Sequence, residues 1–335
     1  MNFWRQAGKK LAVKTLFSGG LITNYYCSSR CQHCLYACGP ERNKDYMSRD
    51  HAEEYLKKIR SLGCHSVHIG GGEPMLNFRG LKEVLKAAET IKVGIDYIET
   101  NSSWFTDLDN TCRKLEEIQH LGVNTLLISI SPFHNEYIPF YKVKGVMAAC
   151  QKTGLSVFPW ISAFIPEVSS FDPANTNSLE DYKERFGEDF WERLPQIYSL
   201  TMKGRPLITF DKLFQKHDVE TILSANQNGC SELTDASHFH VDLYGNYIPG
   251  LCTGLSIKAE DLGAELSETE YPLLTALFND GINGLYKLAK EKYSYQADRK
   301  FSSKCDLCGD IRSYLALNRK LNSRELQPQE FYSCQ

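Results

Sequence analysis

Cys27-Ser28-Ser29-Arg30-Cys31-Gln32-His33-Cys34 follows directly on the apolar-aromatic stretch Leu21-Ile22-Thr23-Asn24-Tyr25-Tyr26. The stretch reads as a first strand and the cysteine segment as the loop leaving it. A loop of that size turns three thiolates toward one point and offers no fourth sulfur at close spacing. Soft thiolate ligands suit iron–sulfur clusters and zinc. A set of three leaves one metal position open, and an open position is where chemistry takes place.

Outward from this loop, strand and helix signals alternate. Ser66 to Gly70, Gly94 to Glu99, Val123 to Ile130 and Leu155 to Ile165 are β-rich runs, the third nearly continuous, as buried parallel strands are. Between them lie helical periods: Ala52, Leu56, Ile59 and Leu62 after the N-cap Ser48; Leu81, Leu85, Ala88 and Ile91; and Leu108, Leu115, Ile118 and Leu121. Alternating β and α units imply a parallel sheet whose functional groups gather at the C-terminal ends of its strands. The conspicuous residues fall there: the three cysteines, Gly70-Gly71-Gly72-Glu73-Pro74, Glu99-Thr100-Asn101 and Ser129-Ile130-Ser131. A charged helix is expected from about 179 to 191, and a last inner strand near Tyr198 to Met202, before Lys203-Gly204-Arg205. Regular alternation then ends. The expected division is an N-terminal extension over 1–14, the alternating domain over 15–212, and a cysteine-bearing domain over 213–335.

The CxxxCxxC spacing, with Gly71-Gly72-Glu73-Pro74 one βα unit later, resembles the radical SAM (S-adenosylmethionine) superfamily. The resemblance implies an α/β fold, an open (β/α)6 partial TIM-like barrel. It also implies a [4Fe–4S] cluster on Cys27, Cys31 and Cys34, whose uncoordinated iron takes the amino and carboxylate groups of SAM. Gly71 and Gly72 would bring backbone close to SAM, and Glu73 would hold its ammonium. Asn101 and Ser129 match polar positions that bond the SAM ribose or carboxylate; a capping or turn role is the alternative for both. His33 stands where the family usually has an aromatic residue near the adenine. Ser131 to Pro139 resembles a Ser-x-Asp-x-Phe-His pattern of some peptide- and sugar-modifying members, with Ser131 in place of the Asp and His134 as a residue facing substrate.

Cys230, Cys252 and Cys305-Asp306-Leu307-Cys308 supply the ligand count of a closed tetrathiolate site, for zinc or for [4Fe–4S]. Tyr244 to Cys252 reads as a hairpin turn followed by a ligand. This arrangement resembles the SPASM/twitch extension, in its one-cluster form: a small α+β domain holding an auxiliary [4Fe–4S] cluster. Zinc stays open at this point. Of the other cysteines, Cys38 lies close behind the cluster loop, Cys64, Cys112 and Cys150 read as small buried hydrophobes, and Cys334 as a disordered tail thiol. His238-Phe239-His240 alternates as a strand does, so its two imidazoles share a face.

With 335 residues, 42% hydrophobic and a formal charge of −3, the chain suits one large and one smaller domain. The near-neutral balance leaves no footprint for nucleic acid. Twelve cysteines point to metal sites more than to disulfides. No apolar run follows the N-terminal charges and none reaches ~18 residues, so the expectation is a cytoplasmic protein without signal peptide or membrane span. The expected activity is reductive cleavage of SAM to a 5′-deoxyadenosyl radical that abstracts a hydrogen atom, fed by a low-potential donor of flavodoxin or ferredoxin type. The expected substrate is a peptide, epimerised or oxidatively cross-linked, and Cys38 is the candidate hydrogen donor for epimerisation. The segment before Cys27 is too short for a fused leader-peptide-binding domain. A sugar or small-molecule epimerase or dehydrogenase is the alternative, and a non-catalytic electron carrier the alternative from another class.

Overall fold

The computed structural model describes residues 10–335. Five strands appear where the apolar runs predict them: β1 (Gly19–Ile22), β2 (Ser66–Gly70), β3 (Gly94–Thr100), β4 (Thr125–Ser129) and β5 (Ser156–Trp160). All pair in parallel in the order β5-β4-β3-β2-β1. The helices between them are α1 (Arg49–Ser61), α2 (Phe78–Ile91), α3 (Leu108–Gln119), the short α4 (Pro132–Asn135) and α5 (Phe140–Thr153). In α1 the Ser48 side chain accepts from the His51 N–H, while Ala52, Tyr55, Leu56 and Ile59 are buried. The fifth run stops short of its expected end. Pro159 sits in β5, where an edge strand has no ladder bond to lose, and residues 162–164 turn instead.

The sheet continues on the other side of β1. There β6 (Phe239–Asp242) pairs with it in parallel, and β7 (Asn246–Ile248) and β8 (Ile257–Lys258) follow antiparallel. The eight-stranded sheet is open, with β5 and β8 at its edges. The β6–β7 turn is the hairpin expected near Tyr244. Asp242 ties it by accepting from the Tyr244 and Asn246 N–H groups, each at 2.9 Å.

Three expectations are corrected. No sixth inner strand forms over 198–202: Tyr198 ends a helix, Ser199 caps it at φ 49°, and the chain runs on irregularly. The edge of β5 is left open, and the sixth parallel strand of the sheet is β6, on the other side of β1. The charged helix forms as two, Leu179–Phe186 and Phe190–Tyr198, broken at Gly187. The C-terminal tail is packed rather than disordered. Glu330–Ser333 is a helical turn with Phe331 and Tyr332 buried, and the Cys334 carbonyl accepts from Arg205 Nη2 at 3.0 Å. Of the expected extension 1–14, residues 1–9 lie outside the described residues, whereas Leu11 and Val13 are buried. Among the described residues no helix is long and apolar enough to cross a membrane.

Candidate active site and a second cysteine site

The C-terminal ends of β1 to β4 open on one cavity of about 370 Å³. Its lining brings together Cys27, Cys31 and Cys34 with Gly71, Gly72, Asn101, Ser129, His33, His134 and Cys38. Glu73 alone of the residues expected there stays outside the lining. Local geometry explains the convergence. After β1 the chain crosses beneath the glycine turn, where the Gly72 N–H donates to Asn24 O (2.7 Å) and the Glu73 N–H to Tyr26 O (3.0 Å). A Cβ on Gly72 would stand 2.0 Å from Tyr26 O, so only glycine lets the turn approach the cysteine loop this closely.

The thiols are set up for a metal. Burial pushes Cys27 up to about 12 and Cys31 well above the usual thiol range. Cys34 is held low, first by the hydrogen bond from Cys38 and then by the Arg205 charge. Buried thiols that resist ionisation become thiolates when a metal supplies the positive charge. Donors already face the sulfurs: Asn101 Nδ2 lies 3.4 Å and the Ser29 N–H 3.5 Å from Cys27 Sγ, and the Cys38 N–H lies 3.4 Å from Cys34 Sγ. Ser29 Oγ and His33 Nδ1 are buried without a hydrogen-bond partner, and both residues line the cavity. Orphaned polar atoms of this kind suit a polar ligand in the space between them.

Glu73 is fully buried. Its carboxylate accepts from the Met75 N–H (3.1 Å), the Asn101 N–H (2.6 Å) and the Thr100 hydroxyl (3.0 and 3.1 Å). Burial pushes it up to about 7 against the pull of those donors. The carboxylate therefore fastens the glycine turn to the end of β3.

His33 packs on Phe133 with ring centroids 4.5 Å apart, and its Nε2 meets Tyr198 Oη at 2.9 Å. His134 is oriented through Nδ1, 2.8 Å from Ser131 Oγ. Ser131 thus has a task of its own where the sequence pattern anticipates an Asp: it caps α4 and holds the histidine. Cys38 is the only cavity-lining cysteine outside the two ligand sets among the described residues. Its thiol is directed to Cys34.

Arg205 escaped the sequence reading. It is 5% exposed. Its Nη1 donates to Cys38 O at 2.7 Å and Cys31 O at 3.4 Å, and its Nη2 to Cys334 O at 3.0 Å and Glu41 Oε1 at 3.3 Å. One guanidinium fork thus joins the cysteine loop to the C-terminal tail. The single hint was its place in Lys203-Gly204-Arg205, after the expected last strand.

A second cavity, of about 400 Å³, is lined by Cys230, Cys252, Cys305 and Cys308 with Lys203 and Arg312. Lys203 Nζ donates to Glu232 Oε2 at 2.6 Å, and Arg312 Nη1 to Thr253 O at 2.8 Å. The two cations act electrostatically on Cys252. The four thiols face one cavity, and a tetrathiolate set suits either zinc or a cluster.

A model of the radical SAM superfamily matches residues 21–153. "Putative peptide biosynthesis protein YydG" of Bacillus subtilis (strain 168) is 19% identical over 294 residues, 85% of this chain and 88% of the relative. Among solved structures, BtrN in complex with AdoMet and 2-DOIA is 13% identical with a TM-score of 0.45, over 86% of this chain and all of that one. The anSMEcpe structure with bound AdoMet and Cp18Cys peptide is 15% identical with a TM-score of 0.43, over 91% and 98%. SuiB of Streptococcus suis, bound to precursor peptide SuiA, is 14% identical with a TM-score of 0.36, over 94% and 76%.

Proposed function

Residues 21–153 form a radical SAM superfamily domain, and from that premise we propose that the chain modifies a peptide, by epimerisation or by oxidative cross-linking, using two [4Fe–4S] clusters. The observation that carries the proposal is the single cavity on which three thiols, a glycine turn, Asn101 and Ser129 meet at the strand ends. Cys27, Cys31 and Cys34 would hold the first cluster. When bound, that cluster with an electron from a low-potential donor supplies the reductive cleavage of SAM to methionine and a 5′-deoxyadenosyl radical, which takes a hydrogen atom from the substrate.

The chain's own groups orient and shield. Asn101 Nδ2 and two backbone N–H groups donate to the sulfurs and stabilise their negative charge. Glu73 fixes the Gly71–Gly72 turn, whose backbone, with Asn101 and Ser129, would hold the polar groups of SAM. His33, on its Phe133 support, stands beside them. Tyr198, Leu127 and Trp160 supply apolar cavity wall, which limits water around a reactive intermediate. His134, held by Ser131, presents its free edge toward substrate.

Cys230, Cys252, Cys305 and Cys308 would hold the auxiliary cluster. The β6–β7 hairpin leading to Cys252, with Cys305 and Cys308 on a following helix, supports the cluster reading. Lys203 and Arg312 offset the negative charge of a four-thiolate site. The peptide class is supported by the name of the Bacillus relative, which spans most of both chains.

The experiment is turnover of a candidate peptide deuterated at Cα, with SAM and dithionite, in ordinary water. Deuterium in 5′-deoxyadenosine is expected if a backbone hydrogen is abstracted. Repeating the reaction with unlabelled peptide in deuterated water separates the outcomes, since an epimer formed by a solvent-exchanged thiol gains one deuterium and a cross-link gains none. If the thiol is Cys38, the Cys38→Ala variant forms deoxyadenosine without inverted product. Turnover of a sugar, with none on peptides, would defeat the peptide reading.

A further inference from the structure

Three imidazoles outside both cysteine sites converge on the wall of the sheet beside the cavity. His68 lies in β2 and His240 in β6, and both stand in register with Gly20 of β1, which runs between them. Residues in register on adjacent parallel strands project to the same face, so the two side chains lean over the middle strand. Gly20 leaves them room: a Cβ there would lie 2.4 Å from His68 Cδ2 and Nε2. The Nε2 atoms of His68 and His240 come within 2.9 Å of each other. His238, two residues before His240, shares their face, and its ring stacks on His68 with centroids 5.2 Å apart. One nitrogen from each ring lies within 4.8 Å of the other two. Glu99, from β3, brings Oε1 to 3.8 Å from His68 Nε2.

We propose that His68, His238 and His240, with Glu99 as a fourth ligand, form a site for one divalent transition-metal ion beside the SAM cavity. Nitrogens in a tetrahedral set on a metal about 2.0–2.1 Å away stand about 3.3–3.4 Å apart, so the 2.9 Å between His68 and His240 needs to widen by only about half an ångström to admit an ion. Three imidazoles and a carboxylate suit zinc and its borderline neighbours. A hydrogen bond between His68 and His240 would account for two of the rings, but not for the convergence of the third ring and the carboxylate. The outer edges of the rings are also held. His240 Nδ1 lies 2.7 Å from Tyr36 Oη, and the Gly19 backbone hydrogen-bonds His68. Such outer partners fix the ring and its tautomer at metal sites. Burial disfavours the imidazolium form of all three histidines, which leaves lone pairs for an ion.

His238 and Glu99 line the same cavity as Cys27, Cys31 and Cys34. An ion held by the three imidazoles therefore borders the substrate space, where a carbonyl or carboxylate oxygen of the peptide would take the place of Glu99. That last role rests on the peptide reading above; the metal site does not.

The test uses the anaerobically reconstituted holoenzyme, given one equivalent of zinc chloride and desalted. About one zinc per chain is expected to remain, with nitrogen and oxygen neighbours at about 2.0–2.1 Å in zinc-edge X-ray absorption. His238→Ala, which replaces a half-buried ring, and His240→Gln should each retain about tenfold less zinc, a loss of about 1.4 kcal/mol in binding. Their iron content should match wild type, which also reports that they have folded. Zinc lost from the wild-type protein on desalting, or retained equally by both variants, would overturn the site. So would sulfur neighbours at about 2.3 Å. Sulfur-bound zinc would count against the cluster reading of the cysteines as well, whereas loss of zinc with full iron content defeats the histidine site alone.

Discussion

Replacing Cys27, Cys31 and Cys34 together with alanine lowers the iron content of reconstituted protein from about eight to about four per chain and abolishes 5′-deoxyadenosine formation. The arithmetic follows from the two cavities. The first has three thiols, and no other cysteine except Cys38 lines it. The second keeps all four of its own, together with Lys203 and Arg312. Cys38 does not rescue the variant, because its thiol faces Cys34 and one remaining sulfur does not hold a cluster. The effect on turnover is the largest that any substitution should produce, since no other group in the cavity supplies the electron-transfer chemistry. A variant that keeps about eight irons would mean that the first cluster has other ligands. A wild-type protein with about four irons and one zinc would remove the auxiliary cluster and leave the first intact.

The second large effect is expected at Arg205. In Arg205→Met the carbonyls of Cys38 and Cys334 lose their donor, that of Cys31 keeps only the Cys34 N–H, and Glu41 keeps only the longer contact with Arg30, at 3.7 Å. Two stranded buried acceptors cost about 2–4 kcal/mol together, and the partly exposed pair with Glu41 adds little. The unfolding midpoint of the cluster-free protein should fall accordingly. Amide exchange at residues 330–335 should quicken, because the tail is fastened to the cysteine loop through this side chain. Arg205→Lys should recover only part of the loss, as one ammonium does not reproduce a fork that reaches four oxygens. An unchanged midpoint with unchanged tail exchange would show that the guanidinium contacts are incidental.

Arg205 also marks where sequence reading ends. The cysteine loop and the glycine turn were legible because their chemistry lies in local spacing. Strands β2 and β4 were legible because a parallel strand buried on both faces is a nearly continuous apolar run, whereas β3 and β5 are partly exposed and read from β-rich composition. The strand His238-Phe239-His240 belongs to was visible as an alternation, but its partner was not, since pairing with Gly19 to Ile22 spans more than two hundred residues. The segment 198–202 looked like a strand from its short apolar run alone. Residues 198–201 line the cavity without pairing to the open edge of β5. The structural partners of Glu73 were hidden for a related reason. A carboxylate after two glycines reads as a ligand group, and only the fold shows the Asn101 and Met75 N–H groups and the Thr100 hydroxyl surrounding it. The contacts of Arg205, at separations of 129 to 174 residues, leave no local trace at all.

The central claim is that this cavity cleaves SAM reductively, and it is tested most directly by incubating anaerobically reconstituted wild-type protein with SAM and dithionite and measuring 5′-deoxyadenosine. The account predicts its formation with wild-type protein and none with the Cys27, Cys31 and Cys34 variant. A brown protein that carries its full iron, accepts electrons and yet yields no 5′-deoxyadenosine would contradict it, and would leave the chain an iron–sulfur electron carrier.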